Sequence, residues 1–168
     1  MSSYRVPCEE SSAFFQSPIG TIEVVVSKKG VKKIDLVSRR KARTRASTKN
    51  KTLKDALHQL EEYFKGRRTE FDFPKDLNGT EFQCKVWKAT EKIRYGQSSS
   101  YKEIAKKIQK PKAIRAVGQA LKRNPIMLGI PCHRVLSKGG KLNGFNAGVA
   151  NKEWLLEFEG ASFKTSAF

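Results

Sequence analysis

The sequence predicts an α+β fold, with strands in the first third of the chain and helices in the rest. β-branched residues alternate over Thr21–Val26 and Val31–Val37, on either side of the hairpin-like turn Lys28-Lys29-Gly30. After Thr52, apolar residues instead recur every three or four positions, which is the spacing of amphipathic helices. Two adjacent helices in the second half are joined by a short break and form a helix-turn-helix candidate.

The N-terminal third contains one predicted hairpin, one basic loop and one helix. Residues 1–12 are expected to form a loose tail, and Ser17-Pro18-Ile19-Gly20 is a turn signal. The stretch 38–51 has seven basic residues and almost nothing apolar, so we expect a solvated linker, with phosphate contact or nuclear import as alternatives. A helix is predicted over Thr52–Lys65, with Thr52 and Asp55 as a capping box and Gly66 after its end.

The predicted domain boundary lies between Lys75 and Gly79, which divides the chain into residues 1–78 and 79–168. Helices are then predicted after the caps Thr80 and Ser100. Two more are predicted, over Lys112–Arg123 and Ala150–Glu159, and the first of these is the second helix of the helix-turn-helix.

This second helix has a polar face suited to a groove. Arg115, Gln119 and Lys122 are spaced i, i+4, i+7, opposite a predicted core stripe. The stripe consists of Ile114, Val117 and Leu121. Small residues at Ala113, Ala116, Gly118 and Ala120 would allow close approach to nucleic acid; the alternative is an ordinary solvated face.

Length and composition exclude several classes of protein. The 168 residues suffice for one domain or two small ones, and a hydrophobic content of 38% excludes wholesale disorder. No run of ~18 apolar residues predicts a membrane span, and the start lacks the apolar segment of a secretory signal. Three unpaired cysteines (Cys8, Cys84, Cys132) indicate a reducing, intracellular setting, cytoplasmic in a prokaryote or nuclear in a eukaryote.

The charge favours a polyanionic partner. The chain has 34 Lys and Arg against 16 Asp and Glu, a formal charge of +18, which attracts polyanions at long range. Nucleic acid is the favoured partner. No segment resembles a basic amphipathic membrane anchor, so no membrane partner is expected; a surface that only keeps the protein soluble is the remaining alternative.

A cysteine follows a buried apolar run and precedes a histidine. The run Ile126–Ile130 is predicted to be a buried strand that leads to Cys132 and His133. A thiol with a pKa of ~8.5 needs a nearby base or cation to become a nucleophile. Neighbours on an extended chain point to opposite faces, so a contact with His133 requires a turn or a bridging water. Glu159 is the candidate to orient the histidine; a plain buried cysteine beside a core histidine is the alternative.

The possible soft metal ligands lack metal-site spacing, so neither a metal nor another cofactor is expected. These ligands are Cys8, Cys84, Cys132, His58 and His133. There is no P-loop and no dinucleotide fingerprint.

The chain contains many short motifs at and around Cys132 and along the rest of the sequence. They are Pro131-Cys132-His133-Arg134-Val135, Arg115-Ala116-Val117-Gly118, Asn124-Pro125, Ser17-Pro18-Ile19-Gly20, Glu62-Tyr63-Phe64-Lys65-Gly66, Gly79-Thr80-Glu81-Phe82-Gln83, Val86-Trp87, Ser100-Tyr101 and Lys152-Glu153-Trp154-Leu155-Leu156. With them the sequence resembles the O6-alkylguanine-DNA alkyltransferases, also called methylated-DNA–protein-cysteine methyltransferases, from Phe14 to Gly160.

The resemblance implies an N-terminal ribonuclease-H-like domain with a small antiparallel sheet, and a mainly helical, winged-helix-like DNA-binding domain. It implies irreversible, stoichiometric transfer of alkyl groups from O6-alkylguanine, and also O4-alkylthymine, in double-stranded DNA. The protein would enter the minor groove and flip the nucleotide, as a monomer without a cofactor.

The resemblance also implies residue roles. Cys132 would accept the alkyl group, His133 would deprotonate it through a water, Glu159 would orient His133, and Asn124 would brace the turn. Tyr101 would assist nucleotide rotation and protonate the departing guanine, and Arg115 would fill the gap in the duplex. DNA contacts would come from Arg115, Tyr101, Ala116, Gln119, Lys122 and Arg123. The guanine pocket would comprise Tyr101, Ile130, Pro131, Phe145, Asn146 and Ala147, and the glycine-rich loop from about Asn143 to Gly148 would form one of its walls.

Some positions depart from the family pattern. Asn146 and Ala147 stand where Ser or Ala and then Gly are more usual, which affects the adducts that fit. Some relatives bind zinc in the N-terminal domain, but here Cys8 alone lies near a ligand position, so no zinc is predicted. The residues by themselves leave open a DNA-binding regulator without enzymatic activity and a Cys-His thiol hydrolase.

Overall fold

The first described residues form a three-stranded antiparallel sheet in the computed structural model, which describes residues 10–40, 49–142 and 144–165. The strands are β1 (Ser11–Ser17), β2 (Gly20–Ser27) and β3 (Gly30–Val37), in the order β1-β2-β3. The prediction of two strands was wrong, because residues 11–17 form a third strand that pairs along its whole length with β2, and it includes Ser11 and Ser12, which were assigned to the tail. As an edge strand with one fully buried side chain, Ala13, β1 lacks the alternation that identifies a strand.

Helix α1 (Lys51–Phe64) packs against the sheet and begins one residue earlier than predicted. The cap is Asn50, not Thr52: the Asn50 side chain accepts a hydrogen bond from the Leu53 backbone N–H at 3.0 Å. Gly66 follows the helix with a φ of 73°, as predicted for that position. Cys8, residues 41–48 of the basic loop and Asn143 lie outside the described residues.

Three helices form a helical unit after the sheet and α1: α2 (Glu81–Glu91), α3 (Tyr101–Lys107) and α4 (Ile114–Lys122). Thr80 and Gln83 form the predicted capping box at the start of α2. Side chains from α2, α3 and α4 share one hydrophobic cluster. The α3-turn-α4 pair confirms the predicted helix-turn-helix, and the α+β class is confirmed with it.

The segment after α4 is a turn rather than the predicted strand. Ile126 and Ile130 are fully buried as expected, but Leu128 has a φ of 70° and the chain reverses there, with Met127 and Ile130 forming a bridge. Apolar content predicted the burial but does not distinguish a strand from a buried turn. A short 3-10 helix (Cys132–Arg134) comes next.

The rest of the chain closes the helical unit. Strand β5 (Val135–Leu136) pairs in parallel with β4 (Ser99–Ser100), a second 3-10 turn covers Lys138–Gly140, and α5 spans Val149–Phe158.

The largest core cluster contains residues from both sides of the predicted boundary at 78/79. Ile22 and Ile34 of the sheet and Leu60 of α1 belong to the same cluster as Trp87 and Leu155. Two backbone bonds of 2.9 Å also join β3 to the segment after α4, one from Ile34 N–H to Pro125 O and one from Met127 N–H to Ile34 O. Both halves of the chain therefore support the segment that leads to Cys132.

Candidate active site and nucleic-acid interface

Cys132 is partly exposed and lines a groove of about 1230 Å³. The walls of the groove are α3 and α4 on one side, and residues 136–140 and 144–146 on the other. The 3-10 turn that begins at Cys132 supplies the change of chain direction that a Cys132–His133 pair needs. The thiol therefore lies at a surface that a large substrate can reach.

Asn124 connects the turn to the sulfur atom. Its amide Nδ2 donates to Cys132 Sγ at 3.1 Å and to Ile130 O at 2.8 Å, and its Oδ1 accepts from the Ile126 N–H at 2.9 Å. One side chain thus shapes the turn and donates a hydrogen bond that favours a thiolate.

Behind Cys132, a buried histidine is paired with a buried carboxylate. His133 Nε2 lies 2.9 Å from Glu159 Oε1, and both side chains are fully buried. Glu159 caps the C-terminal end of α5 and accepts two further bonds of 2.8 Å, from Nε and Nη2 of Arg134. Arg134 also donates to Ile93 O at 2.6 Å.

The pair with Glu159 determines which nitrogen of His133 carries a proton. A carboxylate flanked by Arg134 accepts hydrogen bonds, so Nε2 of neutral His133 is the donor and Nδ1 is the acceptor. Nδ1 is buried and has no hydrogen-bond partner among the described residues. Nδ1 is therefore an available proton acceptor on the residue that directly follows Cys132 in the chain.

The electrostatics favour uncharged forms of both Cys132 and His133. Burial raises the pKa of the Cys132 thiol, although the Asn124 hydrogen bond and the charge of Lys152 oppose it. Burial also lowers the pKa of His133, against the effect of Glu159. Both shifts favour a thiol and a neutral imidazole over a thiolate and an imidazolium.

Three residues of this cluster had no role assigned from the sequence: Tyr63, Arg134 and Lys152. The Tyr63 hydroxyl donates to Glu159 Oε1 at 2.7 Å. Lys152 is buried, donates to Val135 O at 2.7 Å and has its pKa lowered to about 8 by burial. Arg134 could have been found from the sequence, because it directly follows His133. Tyr63 and Lys152 are distant in sequence and become neighbours of the site only when the chain folds.

The groove is basic and carries the predicted face of α4. Arg115, Gln119 and Lys122 all line it, while Ala116 and Arg123 are exposed outside its lining. Ile114 was predicted to face the core, but it is 42% exposed and lines the groove because it begins α4. Among the described residues that line the groove, Glu103 alone is acidic. Five are basic: Lys102, Lys112, Arg115, Lys122 and Lys138.

The residues expected at the guanine pocket divide into two groups. Tyr101, Phe145 and Asn146 line the groove with Cys132, and Asn146 donates to Lys122 O at the end of α4. Ile130 and Pro131 are buried behind the cysteine, and Ala147 packs against the core.

No described helix is long and apolar enough to cross a membrane. Within the same part of the chain, no group of three or more His, Cys, Asp or Glu side chains is arranged to hold a metal ion.

Comparisons with known proteins assign both halves of the chain to one family. Residues 12–77 match the ribonuclease-like domain of 6-O-methylguanine DNA methyltransferase, and residues 81–161 match its DNA-binding domain. A methylated-DNA–protein-cysteine methyltransferase of Methanosarcina barkeri is 44% identical over 86% of this chain and 93% of its own length.

Solved structures agree with this assignment. The crystal structure of Mycobacterium tuberculosis O6-methylguanine methyltransferase is similar with a TM-score of 0.79 and 39% identity, over 90% of this chain and 93% of that one. A structure of the M. tuberculosis protein in complex with DNA has a TM-score of 0.79 and 40% identity, over 89% and 92%. With both domains matched and the relatives covered almost end to end, the chain belongs to the 6-O-methylguanine DNA methyltransferase family, whose curated members are named methylated-DNA–protein-cysteine methyltransferases.

Proposed function

We propose that this protein repairs DNA by moving the alkyl group of an O6-alkylguanine in double-stranded DNA onto Cys132, once per molecule. The observation that supports this most directly is the position of the thiol. It lies in a basic groove beside a helix-turn-helix, and a buried His133–Glu159 pair lies behind it. O4-alkylthymine, which presents the same alkyl–oxygen bond, is proposed as a second substrate.

The proposed step begins with the thiol proton. It passes through a bridging water to Nδ1 of His133, and Glu159 stabilises the imidazolium that forms. The Cys132 sulfur then attacks the alkyl carbon in line, so the sulfur–carbon bond forms as the bond from carbon to O6 breaks. The electron pair stays with the guanine, which takes a proton from the Tyr101 hydroxyl, and exchange with solvent returns Tyr101 and His133 to their neutral forms.

The product explains why each molecule acts once. A thioether on Cys132 has no leaving group that water can displace at neutral pH, so the alkyl group stays on the sulfur. The protein is therefore consumed in proportion to the lesions that it repairs.

The groove supports the part of the proposal that concerns DNA binding and nucleotide rotation. O6 of guanine lies on the major-groove edge of the paired base, so a protein in the minor groove can reach its alkyl group only if the nucleotide rotates out, which costs a few kcal/mol. Arg115 lines the groove on the exposed face of α4, and its side chain would fill the vacated position and oppose return of the nucleotide. The basic side chains along the groove would bind phosphates whatever the sequence, in the minor groove, so affinity should fall as salt rises.

The proposal includes the setting of the protein. We infer that it acts as a monomer, without a cofactor, inside the cell, where its free thiols stay reduced. Residues 1–78 would form one domain and 79–168 the other.

The test is the intact mass of the protein after incubation with duplex DNA containing O6-methylguanine. One added methyl group per molecule is expected, mapped to Cys132 and absent in Cys132→Ser. Cys84→Ser is the matched control, since Cys84 is also a free, partly buried thiol but lies outside the groove, and it should react like the wild type. Duplex binding without added mass would favour a DNA-binding regulator, and repeated turnover on esters or peptides would favour a thiol hydrolase.

A further inference from the structure

Tyr63 of helix α1 connects the N-terminal half of the chain to the buried carboxylate. Its hydroxyl donates to Glu159 Oε1 at 2.7 Å, across 96 positions of sequence, and its side chain is fully buried. The bond joins a side chain from the residues matched to the ribonuclease-like domain with the residue that orients His133.

Glu159 Oε1 is shared by three donors. His133 Nε2 lies 2.9 Å from it, Arg134 Nη2 lies 2.8 Å from it, and the Tyr63 hydroxyl lies 2.7 Å from it. A carboxylate oxygen has two lone pairs, so these donors compete for its electron density. Any donor that is removed leaves more negative charge for the other two.

Tyr63 is held in this position by packing. Its ring contacts Phe64, Phe71 and Phe158 with centroids 5.1, 5.3 and 5.6 Å apart, and Tyr95 lies 6.1 Å away. Burial raises the pKa of Tyr63 far above its ordinary value, so the hydroxyl keeps its proton and remains a donor. The hydroxyl is thus a permanent neutral partner of Glu159.

We propose that Tyr63 is a positioning residue for alkyl transfer, whose hydroxyl shares Glu159 Oε1 with His133 and limits how strongly Glu159 draws a proton onto His133. The inference rests on the proposed role of His133 as the base for Cys132. The charged and titratable groups that face this pair are Arg134 from the 3-10 helix, Lys152 from α5, Tyr95 from the loop after α2, and Tyr63 itself. Of these, Tyr63 is the one contributed by the N-terminal half.

The test is Tyr63→Phe, which removes one oxygen atom and retains the ring. Without the competing donor, Glu159 should stabilise the imidazolium better, so the pKa of His133 should rise by about 0.5 units. NMR titration of the two histidines measures this without DNA, and exposed His58, paired with Glu62, serves as an internal reference that should not move. The acid limb of the methyl-transfer rate should shift to higher pH by the same amount.

Tyr95→Phe is the matched control. It removes the same atom from the same aromatic cluster, but the Tyr95 hydroxyl is 3.4 Å from the Phe158 carbonyl and does not bond to Glu159. Tyr95→Phe should leave both the His133 titration and the acid limb in place. An unchanged His133 titration in Tyr63→Phe, or an equal shift in both variants, would overturn the proposal.

A second measurement covers the case in which Tyr63→Phe does not fold. In the wild type, the buried Tyr63 hydroxyl proton should exchange slowly and give a nuclear Overhauser effect to the proton on His133 Nε2; absence of this signal would contradict the shared oxygen. If wild-type protein gains no methyl group from damaged duplex while these NMR results hold, the proposed function fails and the coupling between Tyr63 and His133 stands.

Discussion

Nε2 of His133 and Oε1 of Glu159 lie 2.9 Å apart, and neither side chain has any exposed surface. A buried carboxylate is stable only when its partners compensate for lost hydration, and here Arg134 and His133 both do so. In this arrangement Nδ1 of His133 has no hydrogen-bond partner among the described residues. Under the proposed mechanism, the carboxylate would therefore influence the sulfur through the imidazole.

Replacing Glu159 with Gln should make Cys132 harder to ionise. A neutral amide stabilises the imidazolium less than a carboxylate does, so proton transfer from the thiol becomes less favourable. The pH dependence of Cys132 alkylation by a small reagent should shift to higher pH. Glu157→Gln, on the exposed side of α5, removes the same charge and should leave the profile unchanged. If both variants react like the wild type, Glu159 does not assist proton transfer from Cys132 to His133.

Glu159 should also contribute to acid sensitivity. Burial opposes its ionisation, but the hydrogen bonds from His133 and Arg134 outweigh burial and lower its pKa to about 2. Because the pKa is lower in the folded state, the stabilisation is complete above the unfolded pKa of ~4.3 and is lost as the pH falls towards 2.

Between about pH 5 and 3 this group should remove about 2 kcal/mol from the free energy of unfolding. Urea unfolding of wild type and Glu159→Gln over that range measures it, since the difference in stability between the two proteins should narrow as the pH falls. A constant difference would mean that Glu159 does not have a depressed pKa.

Sequence patterns predicted local features well. The capping box at Thr80 and the shared face of Arg115, Gln119 and Lys122 depend on spacing within a few residues, and the structure has both. The recognisable motif around Cys132 likewise led to the family. Local signals are sufficient where the interacting atoms are separated by one or two helical turns.

Non-local features could not be predicted. Tyr63 reaches Glu159, and Lys152 reaches the carbonyl of Val135, only after the two halves of the chain have packed together. Strand β1 was not predicted for a related reason. Its pairing with β2 identifies it as a strand, whereas its own residues do not alternate between buried and exposed positions. Ile114 was assigned to the core by periodicity alone, although the first residue of a helix can project beyond the surface that the rest of the helix buries.

Arg115→Ala should slow repair in duplex DNA by roughly tenfold or more, about 1.4 kcal/mol, because nothing then opposes return of the rotated nucleotide. The rate with free O6-benzylguanine should stay near the wild-type value, since no base has to be extruded. Single-turnover rates on the two substrates measure the contrast. Lys88→Ala, an exposed cation outside the groove lining, controls for the loss of one charge. Equal losses on both substrates would argue against an intercalating role.

Gly30 should be much less tolerant of a side chain than Gly66. A Cβ at Gly30 would lie 2.5 Å from the carbonyl oxygen of Pro74, where the backbone of Val31 bonds to the same carbonyl at 2.8 Å. Gly66 has a φ of 73° but no atom within 4 Å of such a Cβ. Gly66→Ala should therefore cost only the strain of a left-handed alanine, about 1 kcal/mol.

Gly30→Ala adds a clash with backbone that cannot rotate away, so it should cost roughly 3 kcal/mol. Urea unfolding of the two variants compares them directly. Because β3 also bonds to Pro125 and Met127 beside the active-site turn, Gly30→Ala should slow alkyl transfer as well, whereas Gly66→Ala should not. Equal losses of stability in the two variants would show that the strand and the 74–76 segment separate without cost.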